Sequence, residues 1–360
     1  MWPVSVKKEL SDFLIGEKEV SKKASFDKDM SENRQAPSSC SNTFSLQESV
    51  IYAHRTTLMG IATFSVFLAH VLHRFTNDLP GDIIPACFLY TYGFLFLSGF
   101  SIYYSLANRE APNWSGRILP FYRRRITKVF IPFIISSFIP IIILSAIDNA
   151  SFAKVLLRLS SFNFWFEGNT CGTWYVSAIL PLYLFSPLLY KFKQYLGLLS
   201  VIAFFLVLIF QRIYPGYYQK IHFVEQLPLF LVGMAYAAYF TRNPQHSQIY
   251  IICLISVLTP FFIFTKKYFI IESIVGIIAI FIFANIIANI RRPKKMLQWM
   301  GNNSLILYLL HLELCFILQN VGVDSQIAII LSIISAIVLC PLCNRAVSWT
   351  TKRLLYNARN

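Results

Sequence analysis

The stretch Thr57-Leu-Met-Gly-Ile-Ala-Thr-Phe-Ser-Val-Phe-Leu-Ala-His70 decides the fold, because it is an apolar helix-forming run that ends in an ionisable side chain. It opens a series of about ten apolar segments, each long enough to cross a bilayer. A histidine at membrane depth is costly to insert, so His70 is a candidate functional residue. Three interpretations are open: a general base, a proton carrier or a hydrogen-bonded packing residue.

The composition of the whole chain is that of an integral membrane protein. Its 360 residues are 56% hydrophobic and only 14% charged, whereas soluble domains carry about 25% charged residues. The mean hydropathy is +0.56. The net charge of +15 does not indicate a nucleic-acid partner, because the excess basic residues lie in or beside the apolar part. We therefore expect membrane lipids, and no nucleic acid, as its surroundings.

The chain divides into a polar tail and a membrane domain. Residues 1–50 hold seven basic and eight acidic residues, which predicts a disordered cytoplasmic tail. Residues 51–360 are the membrane domain. Its apolar segments fall at 57–75, 83–107, 127–147, 173–190, 196–212, 226–240, 249–265, 268–290, 303–320 and 326–348.

The predicted fold class is all-α, a polytopic membrane bundle of about ten transmembrane helices. Lys and Arg concentrate on alternate connections between the apolar segments. This bias predicts that both termini are cytoplasmic. The seven cysteines are interpreted as packing thiols. Cys340-Pro-Leu-Cys343 lacks a second cysteine pair and a nearby histidine, so no metal site is predicted.

His70 lies roughly 20 Å from the cytoplasmic start of its helix, in the outer half of the bilayer core. A neutral imidazole there can take the proton from a hydroxyl that attacks an acyl carbon. Four carboxylates also fall at or near membrane level: Asp82, Glu225, Glu272 and Glu313. A proton-coupled transporter would need such groups. A transporter or flippase without covalent chemistry is therefore the alternative function.

Basic residues mark the cytoplasmic side of two segments. Arg55 precedes the first, and Arg123, Arg124 and Arg125 precede the third. Three successive arginines point in different directions around a helix, so they cannot share one role. They contact lipid phosphates and set the topology, or one or two of them bind the phosphates of a cytosolic nucleotide cofactor.

Four stretches together resemble the acyltransferase-3 family, ten-helix membrane proteins that O-acetylate surface and exported carbohydrates. They are Met59-Gly-Ile-Ala-Thr-Phe-Ser-Val-Phe-Leu-Ala-His70, Phe96-Leu-Ser-Gly-Phe-Ser101, Phe121-Tyr-Arg-Arg-Arg-Ile-Thr-Lys-Val-Phe-Ile-Pro132 and Met300-Gly-Asn-Asn-Ser-Leu-Ile-Leu-Tyr-Leu-Leu-His311. A looser match is Gly172-Thr-Trp-Tyr-Val-Ser-Ala-Ile-Leu-Pro-Leu-Tyr183. The order and spacing of these stretches carry the resemblance, which covers about residues 51–350. The resemblance implies that residues 51–360 form a transmembrane acyltransferase domain.

The resemblance implies a donor, an acceptor and a base. Acyl-CoA, in particular acetyl-CoA, would dock from the cytoplasm with its phosphates on Arg55 and one of the three arginines. His70 would deprotonate a hydroxyl of a carbohydrate or lipid-linked glycan from outside, or carry the acyl group itself. The family has an arginine at the position of Met59, so Arg55, one helical turn earlier, would replace it. The implied location is the plasma membrane, which is the inner membrane of a bacterium.

The remaining motif residues have two interpretations each. Trp174 and Tyr175 either line a carbohydrate site or anchor the helix end at the membrane interface. Ser98 and Gly99 either serve the site or permit close helix packing. For Tyr308 and His311 we favour a polar network that stabilises the bundle over direct catalysis.

Overall fold

The stretch that ends at His70 lies in helix α1 (Ser45–Phe75). A computed structural model of the protein describes residues 45–75, 83–107, 114–168, 172–220, 224–225, 227–242, 247–265, 268–290 and 294–357. Helix α1 begins inside the segment predicted as a tail, and residues 1–44 of that tail lie outside the described part. The unit that contains α1 runs from Phe44 to Asn360.

The described secondary structure is helical throughout, without a strand. Each predicted apolar segment falls on one of the long helices. After α1 these are α2 (Ile83–Ala107), α4 (Ile131–Ile147), α7 (Trp174–Lys191), α8 (Leu196–Ile213), α10 (Pro228–Arg242), α11 (Ser247–Thr265), α12 (Tyr268–Asn289), α14 (Ser304–Asn320) and α15 (Ser325–Asn357). The shorter helices are α3 (Trp114–Arg125), α5 (Phe152–Leu159), α6 (Asn163–Glu167), α9 (Pro215–Lys220) and α13 (Lys295–Asn302).

The chain is a helical membrane protein, as the composition predicts. Among the described residues, five helical stretches are long and apolar enough to cross a bilayer, and a bent pair of helices makes a sixth. The five are Ile51–Phe75, Ile118–Ile147, Lys193–Ile213, Ile270–Asn289 and Ser325–Leu354. The count of ten spans and the cytoplasmic placement of both termini stay predictions.

A π-helical segment, Ile126–Phe130, joins α3 to α4 into one continuous rod. The Ile131 N–H donates to the Ile126 carbonyl, five residues back. Pro132 follows directly and has no N–H to donate, which disfavours the ordinary α-helical register at this point. The extra residue in this turn shifts the register between α3 and α4 relative to an unbroken α-helix.

Glycines let two pairs of helices touch backbone to backbone. A Cβ on Gly60 of α1 or Gly301 of α13 would lie 1.9 or 1.8 Å from a carbonyl oxygen of the facing helix. The helices α2 and α10 touch in the same way: a Cβ would lie 1.9 Å from a carbonyl oxygen of the facing helix at Gly99 and 2.0 Å from one at Gly233. Contacts this short exclude any side chain, so these crossings are fixed.

Helices α13 and α14 form the bent pair, with an angle of 72° between them. The bend lies at Asn303, whose side-chain Nδ2 donates to the Trp299 carbonyl at 2.7 Å. The break directs the first turn of α14 toward the inside of the bundle. Discontinuous helices of this kind expose N–H groups where a polar ligand can reach them.

Candidate active site

A cavity of about 380 Å³ runs beside α1. Both Arg55 and Val66 of that helix line it, so it extends roughly 16 Å along the helix axis. Its other walls come from α2, the α3–α4 rod, α7, the α13–α14 bend and α15. The cavity is therefore an elongated slot, with a basic end at Arg55 and an aromatic end near Val66.

The basic end carries positive charge without a countercharge. Arg55, Arg125 and Lys128 line it, and no Asp or Glu is among the described residues that do. Asn303 and Ser304, at the start of α14, belong to the same wall. Three cations and a helix N-terminus together favour an anionic ligand.

The structure separates the three successive arginines. Arg123 and Arg124 are exposed and do not line the cavity, whereas Arg125 does. An Arg125 Nη2–H donates to the Ser105 Oγ at 3.2 Å. Its guanidinium carbon lies 5.3 Å from the ring centroids of both Phe121 and Tyr183, within cation–π range. These contacts hold the guanidinium at the cavity wall.

The aromatic end is formed by side chains that the sequence also singles out. Trp174, Tyr175, Tyr308 and Ser98 all line the cavity. The Tyr175 hydroxyl and the Ser98 Oγ are 2.9 Å apart and share a hydrogen bond. The Tyr308 hydroxyl donates to the Gly172 carbonyl at 3.0 Å. The Tyr175 and Tyr308 rings pack edge to face, with centroids 5.8 Å apart.

The short helices before α7 hold Trp174 and Tyr175 in position. The Ser177 Oγ–H donates to the carbonyl of Ser161, a residue in the left-handed region at φ 63°. The Trp165 Nε1–H donates to the Ser177 carbonyl at 3.1 Å. The first turn of α7 is thus fastened to the segment that precedes it.

His70 is not among the residues that line the cavity. It is half-buried, and its ring centroid is 5.4 Å from that of His311. The His311 ring is in turn 5.9 Å from the ring of Tyr308, which is a cavity wall. Val66, one helical turn before His70, also lines the cavity. The slot therefore ends close to the imidazole pair and does not open directly onto it.

Gly99 lies apart from the cavity lining, at the crossing of α2 and α10. Sequence reasoning missed several polar lining residues, among them Lys128, Asn303 and Asn344. Lys128 belongs to the basic stretch Phe121–Pro132 and Asn303 to the stretch Met300–His311, so both could have been predicted from these motifs. Nothing in the sequence singles out Asn344, whose Nδ2 donates to the Asn303 Oδ1 at 2.5 Å.

Three of the four carboxylates that the transporter alternative needs, Glu225, Glu272 and Glu313, do not line the cavity. Glu272 accepts a hydrogen bond from the Tyr92 hydroxyl at 2.5 Å. Glu313 is fully buried, Glu225 is half-buried, and Asp82 lies outside the described residues. Within the described ranges, no three His, Cys, Asp or Glu side chains gather as a metal site requires.

Comparison with known proteins bears on the whole of this region. No curated protein and no solved structure matches the chain. One family model, described as an acyltransferase domain, matches residues 58–345. That range includes α1 from Leu58 onward, the α3–α4 rod, the bend at Asn303 and His311, and it begins three residues after Arg55. The chain belongs to the acyltransferase-3 family of membrane proteins.

Proposed function

We propose that this protein is an O-acyltransferase of the plasma membrane that moves an acetyl group from cytosolic acetyl-CoA to a hydroxyl of an envelope or exported carbohydrate. Membership of the family supports acyl transfer. The observation that carries the proposal further is the slot, with three uncompensated cations at one end and the aromatic layer beside His70 at the other.

The basic end suits the phosphates of the donor. Arg55, Arg125 and Lys128 can bind phosphate oxygens by charge-assisted hydrogen bonds. Arg55 and His70 are roughly 22 Å apart along α1, a distance that an extended pantetheine arm covers in large part. The thioester would then lie at the aromatic end, among Tyr175, Tyr308 and Trp174.

His70 is the proposed base. A neutral imidazole would accept the hydroxyl proton as the oxygen attacks the thioester carbonyl, and return it to the departing thiolate. Trp174 and Tyr175 offer aromatic faces against which a sugar ring can pack. Because His70 does not line the slot, we propose that the side chains between its ring and the slot shift when both substrates bind.

Labelled acetyl-CoA tests the proposal. Membranes that contain the protein are incubated with [14C]acetyl-CoA, and the glycan fraction that gains label is isolated. The His70→Ala variant should lose transfer while its amount in the membrane stays unchanged. His73→Gln is the matched control, because His73 is an exposed histidine on the same helix; it should transfer at the normal rate.

Two results would contradict the proposal. Full transfer by His70→Ala would remove His70 from the mechanism. Movement of a glycan across the membrane in the complete absence of acyl-CoA, with no label gained when acetyl-CoA is supplied, would support the transporter alternative instead.

A further inference from the structure

We propose that His311 is a positioning residue that holds the His70 imidazole in the tautomer and orientation needed for proton removal. This inference rests on the proposed function, because it requires His70 to be the base. His311 lies on α14, 241 residues further along the chain, and its side chain is fully buried.

The hydrogen bonding of His311 fixes its own tautomer. Its Nδ1 lies 2.9 Å from the carbonyl oxygen of Leu307. A carbonyl oxygen can only accept, so the hydrogen of this bond is on Nδ1. In a neutral imidazole the other nitrogen, Nε2, then carries the lone pair. His311 is therefore a buried hydrogen-bond acceptor at Nε2.

That acceptor has no partner among the described residues. The His311 Nε2 is buried and forms no hydrogen bond there, which is unusual for a buried polar atom. The nearest ring of the same kind is His70, with a centroid separation of 5.4 Å and an interplanar angle of 50°. Two imidazoles joined by an N–H···N hydrogen bond have centroids about 5 Å apart. The observed separation is therefore compatible with such a bond, which forms when one His70 nitrogen is turned toward the His311 Nε2.

The surroundings hold the acceptor in place. The Phe67 ring packs edge to face on His311, with centroids 4.7 Å apart. Tyr308 packs on it at 5.9 Å and is itself tied to the Gly172 carbonyl. Gly172 has φ 71°, and a Cβ there would meet the Leu312 side chain at 2.8 Å. The ring of His311 is thus confined between fixed neighbours.

The consequence for acyl transfer follows from which atom holds the proton at each step. The N–H of one His70 nitrogen is donated to the His311 Nε2. The other His70 nitrogen then carries the lone pair and takes the proton from the carbohydrate hydroxyl. The hydroxyl oxygen forms a bond to the thioester carbonyl carbon, and the C–S bond breaks. The thiolate sulfur takes the proton from His70, which becomes neutral again. His311 stabilises the imidazolium while it exists and neither gains nor loses a proton.

Two substitutions of His311 by amide side chains distinguish the positioning role from a packing role. The amide of Gln reaches the position of the imidazole Nε2 and can accept from His70, whereas the shorter amide of Asn reaches only the position of Nδ1. We expect His311→Asn to lower kcat about 100-fold and His311→Gln to lower it less than about 10-fold. The KM for acetyl-CoA should stay unchanged in both, because His311 does not line the cavity.

The measurement uses the full-length protein in membranes, with labelled acetyl-CoA and the glycan fraction that the wild type labels. A normal kcat for His311→Asn, or equal losses for Asn and Gln, would overturn the positioning role. If His311→Asn does not accumulate in the membrane, His311→Ser, which also falls short of His70, replaces it.

A double variant completes the test and separates the two possible failures. If His311 acts through His70, then His70→Ala with His311→Asn should retain the same residual rate as His70→Ala alone; a further loss would contradict the inference. If His70→Ala keeps full activity, the proposed function itself fails. If His70→Ala is inactive while His311→Asn is normal, only the inference about His311 fails.

Discussion

Replacing Arg125 by Met should weaken donor binding without slowing the chemical step. Met keeps most of the length and the packing against Phe121 and Tyr183, but it removes the charge. Of the guanidinium donors, one Nη2–H binds Ser105, while Nε has no partner among the described residues. Further N–H donors of the Arg125 guanidinium therefore remain for a phosphate, and the contacts with the Phe121 and Tyr183 rings already hold that guanidinium in place.

The size of the effect follows from the loss of that contact. A hydrogen bond to a charged group contributes about 1.5–3 kcal/mol, which corresponds to a rise of about 10–150-fold in the KM for acetyl-CoA. The kcat should stay close to that of the wild type, because Arg125 lies at the opposite end of the slot from His70 and Tyr308. Arg124→Met is the matched control, since Arg124 is exposed and outside the cavity lining.

Initial rates with two donors would check this reasoning. Acetyl-CoA carries the phosphates, whereas S-acetylpantetheine does not. The difference between wild type and Arg125→Met should disappear with S-acetylpantetheine. The reasoning is refuted if Arg124→Met has an equal effect, or if the loss in Arg125→Met persists with the donor that lacks phosphates.

Two further predictions concern stability. Gly233→Ala should lower the free energy of unfolding by about 1–3 kcal/mol, because the new Cβ would lie 2.0 Å from a backbone oxygen of α2. Gly216→Ala is the control, since a Cβ at Gly216 would have no atom within 4 Å. In detergent the control should have the melting temperature of the wild type. Asp148→Asn should cost about 1–3 kcal/mol, because the Asp148 Oδ2 is 2.6 Å from Nη2 of Arg158, whose side chain is only 1% exposed; an unchanged melting temperature would refute this.

Local properties of the sequence predict the helices well. Each apolar segment identified from hydropathy is helical in the structure, because helix formation and membrane insertion both depend on nearby residues. The bend at Asn303 was not predicted, since Met300–His311 contains no proline to mark it. The number of spans depends on how such breaks are arranged, which composition alone does not determine.

The candidate site was harder to predict, because it depends on long-range packing and on local register. The sequence shows that Arg123, Arg124 and Arg125 point in different directions, but not which of them faces the cavity; that depends on how their helix packs, and the structure places only Arg125 of the three in the cavity lining. Similarly, His70 and His311 are each visible as motif residues, but their proximity arises from the packing of α1 beside α14.

The glycine crossing between α1 and α13 also restricts how a donor can enter. Because two backbones in direct contact resist sliding, we expect the helix that carries His70 and the bend at Asn303 to move together. We therefore expect any widening that admits a ligand to occur at another wall of the cavity, the one that the α3–α4 rod and α7 form. The π-helical turn of that rod, and Pro181 and Pro187 in α7, are points where a hinge costs few hydrogen bonds.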